Sequence, residues 1–105
     1  MREGITMSQC RSSGVKTASS AISSGQCRLV SVHAALTGTA NTTIKVFDNA
    51  SAASGTELTR LILRPSPDSP SMIEFDMHGV LAVNGLFLSI SSGSGEGAAV
   101  SVEFS

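Results

Sequence analysis

The chain has no tryptophan and no tyrosine, and four phenylalanines make up its whole aromatic content. Carbohydrate platforms and single-stranded nucleic-acid sites lean on exposed rings, so both readings lose support. Charge is scarce too. Charged residues are 14% of the chain, against about 25% in a typical soluble domain. Seven Lys and Arg stand against eight Asp and Glu, and no basic stripe is visible. The counterion release that drives nucleic-acid binding therefore has no source, and no nucleic-acid partner is expected. No apolar run approaches the ~20 residues of a membrane-spanning helix, so no membrane partner is expected either. Met1-Arg2-Glu3-Gly4-Ile5-Thr6 lacks the apolar core of a signal peptide, which predicts no secretory export.

Cysteine is limited to Cys10 and Cys27, with no C-x-x-C spacing. Without export a thiol-keeping compartment is expected. Cys27 opens an apolar stretch and reads as a small buried hydrophobe. Cys10 lies in polar sequence, and a disulfide between the two requires the N-terminal segment to fold back. The missing charge is replaced by Ser, Thr, Ala and Gly. Such a surface repels weakly and is cheap to desolvate, which suits a protein packed against others. A loop-rich β domain produces the same composition.

The 105 residues suffice for one domain. A domain of this size buries roughly 65% of its unfolded surface, enough for a single core without metals or disulfides. Residues 1–13 show no periodicity and read as an N-terminal arm, with a β domain over residues 14–105. Residues 15–22 predict one or two short edge strands. In the next stretch Val30, Val32, Ala34 and Leu36 share a face at period two. After a turn at residues 37–41, Ile44 and Val46 point inward with Thr43 and Lys45 outward. A small-residue loop over residues 50–55 leads to a strand over residues 58–63.

Pro65, Pro67 and Pro70 then interrupt the pattern. They cannot donate to a ladder, which predicts a rigid crossover between sheets. Beyond it Met72, Glu74 and Asp76 share one face, and Ile73 and Phe75 the other. The closing strands flank an Asn84-Gly85 turn and a Gly-rich gap at residues 93–97, which reads as a flexible hairpin loop. The total is an all-β chain of about seven to eight short antiparallel strands, the pattern of a single β-sandwich. No window carries a stripe at period 3.6.

Chemistry is sparse. His33 alternates with apolar neighbours on a predicted strand and reads as structural or solvent-facing. Asp76 and His78 share a face if the strand is extended, a two-ligand fragment without a third ligand. Asp48-Asn49 enters a turn, where Asx side chains cap nearby N–H groups. The neighbouring Ala and Ser offer too few oxygens for calcium. Residues 93–97 lack the Lys-Ser/Thr ending of a phosphate loop, and no serine sits in a nucleophile elbow. No catalytic, cofactor-binding or metal-binding residue is assigned, no cofactor is expected, and the chain is read as a non-enzyme.

Val46-Phe47-Asp48-Asn49-Ala50-Ser51-Ala52-Ala53-Ser54-Gly55-Thr56 and Asn84-Gly85-Leu86-Phe87-Leu88-Ser89-Ile90-Ser91-Ser92-Gly93 resemble segments of small structural proteins of tailed bacteriophages. The likeness covers roughly residues 25–105; the Pro-rich crossover and the longer segment over residues 15–24 depart from it. The resemblance implies a jelly-roll-like sandwich with an extended arm, and a virion component made in the host cytoplasm. It further implies a capsid decoration (cement) protein on the phage head surface, partnered with the major capsid protein and with itself as a homotrimer. The alternative is a tail or head fibre or baseplate module whose loops at residues 50–55 and 93–97 meet the host. The weakly charged edge at residues 15–22 also invites pairing with another chain, and the arm and one sheet face are the expected contacts.

Overall fold

The computed structural model describes residues 10–65 and 71–105. Eight strands follow one another: β1 (Arg11–Ser12), β2 (Ser20–Ser24), β3 (Cys27–Leu36), β4 (Thr42–Asp48), β5 (Thr56–Leu63), β6 (Met72–Ala82), β7 (Gly85–Ile90) and β8 (Ala98–Phe104). They form two antiparallel four-stranded sheets. Sheet A has the order β1-β8-β3-β6, and sheet B the order β2-β7-β4-β5. Among the described residues there is no helix, and so none long and apolar enough to cross a membrane.

The alternation expected of β-branched and leucine-rich strands places one apolar side of each sheet inward. Leu29, Val32, Val100 and Val102 from sheet A meet Ile44, Val46, Leu63, Leu86 and Leu88 from sheet B in one core, all fully buried. The arrangement is sandwich-like: burying each such side chain contributes roughly 1.5–3 kcal/mol. Cys27 joins this core, as its apolar setting suggested, and both cysteines are free thiols.

Among the described elements only β4 and β5 are consecutive strands of one sheet; every other connection changes sheet. The Asn84-Gly85 turn therefore joins β6 of sheet A to β7 of sheet B. The Gly-rich gap joins β7 to β8 and is not a hairpin loop. Nor is it loose. Thr37 and Gly38 N–H donate to Gly97 O, and Thr39 and Ala40 N–H donate to Gly95 O, at 2.7–3.2 Å. Glu96 folds back so that Oε1 accepts from Gly93 N–H. The Pro-rich crossover does lie between strands of different sheets, but its residues 66–70 fall outside the described residues.

Three further expectations change. Arg11 and Ser12, read with the arm, pair with Phe104 and Glu103 and form the edge of sheet A; residues 1–9 lie outside the described residues. The edge over residues 15–22 resolves into a single Lys16–Val100 bridge and the later strand β2. The run Val30, Val32, Ala34, Leu36 is not one uninterrupted face. Pairing with both neighbours shifts register between Leu29 and Ser31. Val30 is the extra residue of a bulge, so Cys27 and Leu29 face inward before it and Val32 and Ala34 after it.

Candidate functional site

The bulge decides what the outer face of sheet A presents. By shifting the phase of β3 it turns Ser31, His33 and Ala35 outward. Register then sets their neighbours: Ser31 lies between Asp76 and Glu103, His33 between Glu74 and Ser101, and Ala35 between Met72 and Ala99. Three rows result, grading from acidic through mixed to apolar.

In the acidic rows Ser31 Oγ–H donates to Glu103 Oε1 at 2.5 Å, and Ser31 Oγ lies 3.2 Å from His33 Nε2. On its other side His33 Nδ1 lies 3.2 Å from Glu74 Oε2, while Nε2 is 3.6 Å from Glu103 Oε1. The Ser31 hydroxyl, and next the His33 ring, hold the Glu103 carboxyl below the usual carboxylate range against a weaker opposing effect of burial. Ser31, His33, Glu74, Asp76 and Glu103 line a depression of about 410 Å³. The apolar row continues into a groove of about 360 Å³, floored by Ala35 and Ala99 and walled by Val15 and Met72. Those two walls are 71% and 73% exposed.

Ser31, His33 and Glu74 have distances reminiscent of a hydrolytic triad, but not its wiring. The Ser31 proton goes to Glu103 rather than to His33, and Ser31 sits mid-strand, paired on both sides, instead of on an exposed elbow. Among the described residues no group of three or more His, Cys, Asp or Glu is arranged to hold a metal ion.

Asp76 and His78 do not share an extended face. Opposite the single residue Val30, β6 places Met77, His78 and Gly79 between the pairs Ser31–Asp76 and Leu29–Val80. His78 and Gly79 both adopt positive φ, 56° and 74°. A non-glycine residue there is strained. Asp76 Oδ1 offsets this by accepting from His78 N–H at 2.8 Å. The pair is thus a local brace of the bulge. Asp48 is also used differently from the local cap expected. Its two oxygens accept from Val83 and Asn84 N–H at 3.1 and 2.7 Å, fastening the distant β6–β7 turn. The bond from Asn84 chiefly holds its carboxyl below the usual range. Asn49 caps the local turn instead, its Oδ1 accepting from Ser51 and Ala52 N–H.

The outer face of sheet B has the opposite character. Ile44, Val46, Leu61 and Leu63 point inward, so Lys45, Arg60 and Ile62 point outward. Lys45 lies opposite Arg60 and Thr43 opposite Ile62. Arg60 grips Glu57 with two bonds of 2.7 and 2.9 Å. That contact holds the Glu57 carboxyl below the usual range.

Most of the exposed large apolar side chains lie along β6, with Val15 on the far wall of the groove. Met72, Phe75, Val80, Leu81 and Val83 lie on β6 or the turn after it, and Ile62 lies on β5, which touches β6 across the sandwich. Sequence reasoning reached His33, Asp76 and Met72 on their strands. It missed the association of Ser31, Glu74 and Glu103 with His33, because register joins residues up to 72 positions apart. Comparison with protein-family models, with curated proteins and with solved structures found no match.

Proposed function

We propose that this chain is a non-enzymatic virion component, a decoration (cement) protein that binds the major capsid protein on the surface of a tailed-phage head, and that its two sheets form a jelly roll. The strand orders β1-β8-β3-β6 and β2-β7-β4-β5 support the fold reading. They bring the first and last strands together and interleave two Greek keys, an architecture common among capsid and lectin domains. The resemblance carried by the segments around Asp48 and Asn84 supports the virion role.

One observation carries the docking role: of the large apolar side chains exposed among the described residues, most lie along β6 and the turn after it. Concentrated apolar exposure marks contact surfaces. A small protein seated on a repeating shell as a homotrimer gains multivalent attachment from modest contacts. The test is to add purified protein to expanded capsids that lack it. Bound protein raises capsid heat resistance; unchanged capsid melting at saturating protein refutes the role.

A fibre or baseplate module is the second reading. The β4–β5 loop favours it, being exposed yet braced from within by Asn49, a preorganised contact loop. Adsorption of the purified protein to host cells is its test.

A further inference from the structure

We propose that copies of this chain associate head to tail around an axis beside the β5–β6 edge, the acidic flank of β6 in one copy meeting the basic flank of β5 in the next. The inference deepens the self-association part of the reading above, on which it rests, and names its surfaces.

Three observations converge. The first is charge. On the outer face of sheet A, Glu74 and Glu103 flank the His33 imidazole, and Asp76, beside His78, lines the same depression. Among the described residues no Lys or Arg pairs with them. On the outer face of sheet B, Lys45 and Arg60 face one carboxylate, Glu57, leaving an excess positive charge. Complementary patches on one chain favour a heterologous contact, and like-charge repulsion disfavours isologous pairing of the β6 flanks.

The second is apolar complementarity. The groove beside the acidic rows has alanines as its floor and Val15 and Met72 as its walls, so it has room for a side chain from outside. Ile62 stands two residues from Arg60 on the same face of β5. Two residues of strand span about 6.6 Å, a step comparable with that from the Glu74 row to the Met72 row.

The third is position. Both patches flank the same sandwich edge, since β5 and β6 end their sheets and touch each other. A contact between flanks on opposite sides of one edge is wedge-shaped and turns successive copies about an axis along that edge. Phe75 and Val80, exposed at that edge in a single copy, then lie toward the axis. Direct addition of strand to strand is disfavoured: the Met77–His78–Gly79 bulge and the charges of β6 are the features by which edge strands resist it.

The experiment is sedimentation velocity of the full chain from low to high micromolar concentration, without capsids. The wild type is expected to associate into one closed species, and association should weaken at least threefold between ~0.05 and ~0.5 M salt. Reversing one patch, either Glu74→Lys with Asp76→Lys or Lys45→Glu with Arg60→Glu, should weaken association at least tenfold. All four substitutions in one chain should restore it to within threefold, a rescue that misfolding cannot imitate. A monodisperse wild-type monomer, or association that survives both reversals, overturns the proposal. So does association lost on deleting residues 1–9 but indifferent to the reversals. A chain that associates as described yet leaves capsid melting unchanged fails the capsid role alone. A monomer that stabilises capsids fails this inference alone.

Discussion

Replacing Gly38 by alanine tests how tightly the two connections at one end of the sandwich are joined. Gly38 does not adopt positive φ, so the backbone itself accepts alanine there. The obstacle is what a methyl group meets. A Cβ at this position overlaps the Gly95 carbonyl oxygen and stands 2.9 Å from both Glu96 C and Gly97 N, all main-chain atoms. Carbon atoms pack at about 3.5 Å, so the β7–β8 connection must retreat by about 1 Å. Four backbone hydrogen bonds tie residues 37–40 to Gly95 and Gly97. Losing about two of them removes ~2 kcal/mol, and residual overpacking costs ~1–3 kcal/mol more. Reduced freedom of the unfolded chain returns about 0.4–1 kcal/mol. The net expectation is a loss of ~3 kcal/mol, or about 15 °C in Tm for a domain of this size. Gly93→Ala is the control, because its Cβ meets only the Glu96 side chain, which can swing away. Calorimetry and urea titration of both variants measure the difference. A Gly38→Ala variant within about 1 kcal/mol of wild type would refute the pinned-loop account.

Three other outcomes follow from the same geometry. Glu103 has a depressed folded pKa, so its contact with Ser31 and His33 stabilises the fold above the ordinary carboxylate range and is lost as pH falls through the depressed value. Thermal melts between about pH 6 and pH 3 should therefore show a smaller acid-dependent loss in Glu103→Gln than in wild type. Asp48→Asn keeps one acceptor oxygen where two N–H groups are now satisfied. Amide exchange at Val83 and Asn84 should accelerate while exchange at Leu88 stays unchanged. Of the two free thiols, exposed Cys10 should react with a thiol reagent in the native protein, and Cys27 only on unfolding. Rapid native-state labelling at Cys27 would contradict its place in the core.

Much of the strand content was legible because alternation is a local property. Ile44 and Val46 point inward, Ile73 faces the core while Glu74 and Asp76 face outward, and no described segment is helical. The misreadings share one cause: they depend on a partner elsewhere in the chain. Val30 carries the right residue type for an inward position. Its displacement into a bulge shows only in the register with β6 and β8. The Gly-rich gap looks loose until its carbonyls are seen to accept from residues 37–40. Asp48 has the local signature of a turn cap, and the turn it caps is 35 residues away.

The amino-acid order alone thus settled an all-β chain with weak surface charge and which side chains of most strands are apolar. Those are consequences of side-chain period and composition, which need no knowledge of neighbours. Tertiary structure decided which sheet each strand joins, and with it the row of Asp76, Ser31 and Glu103. It also put the β5 and β6 flanks on either side of one edge. Pairing energy depends on which strands meet and in what register. A one-residue shift such as the bulge at Val30 reverses the facing of the residues that follow it.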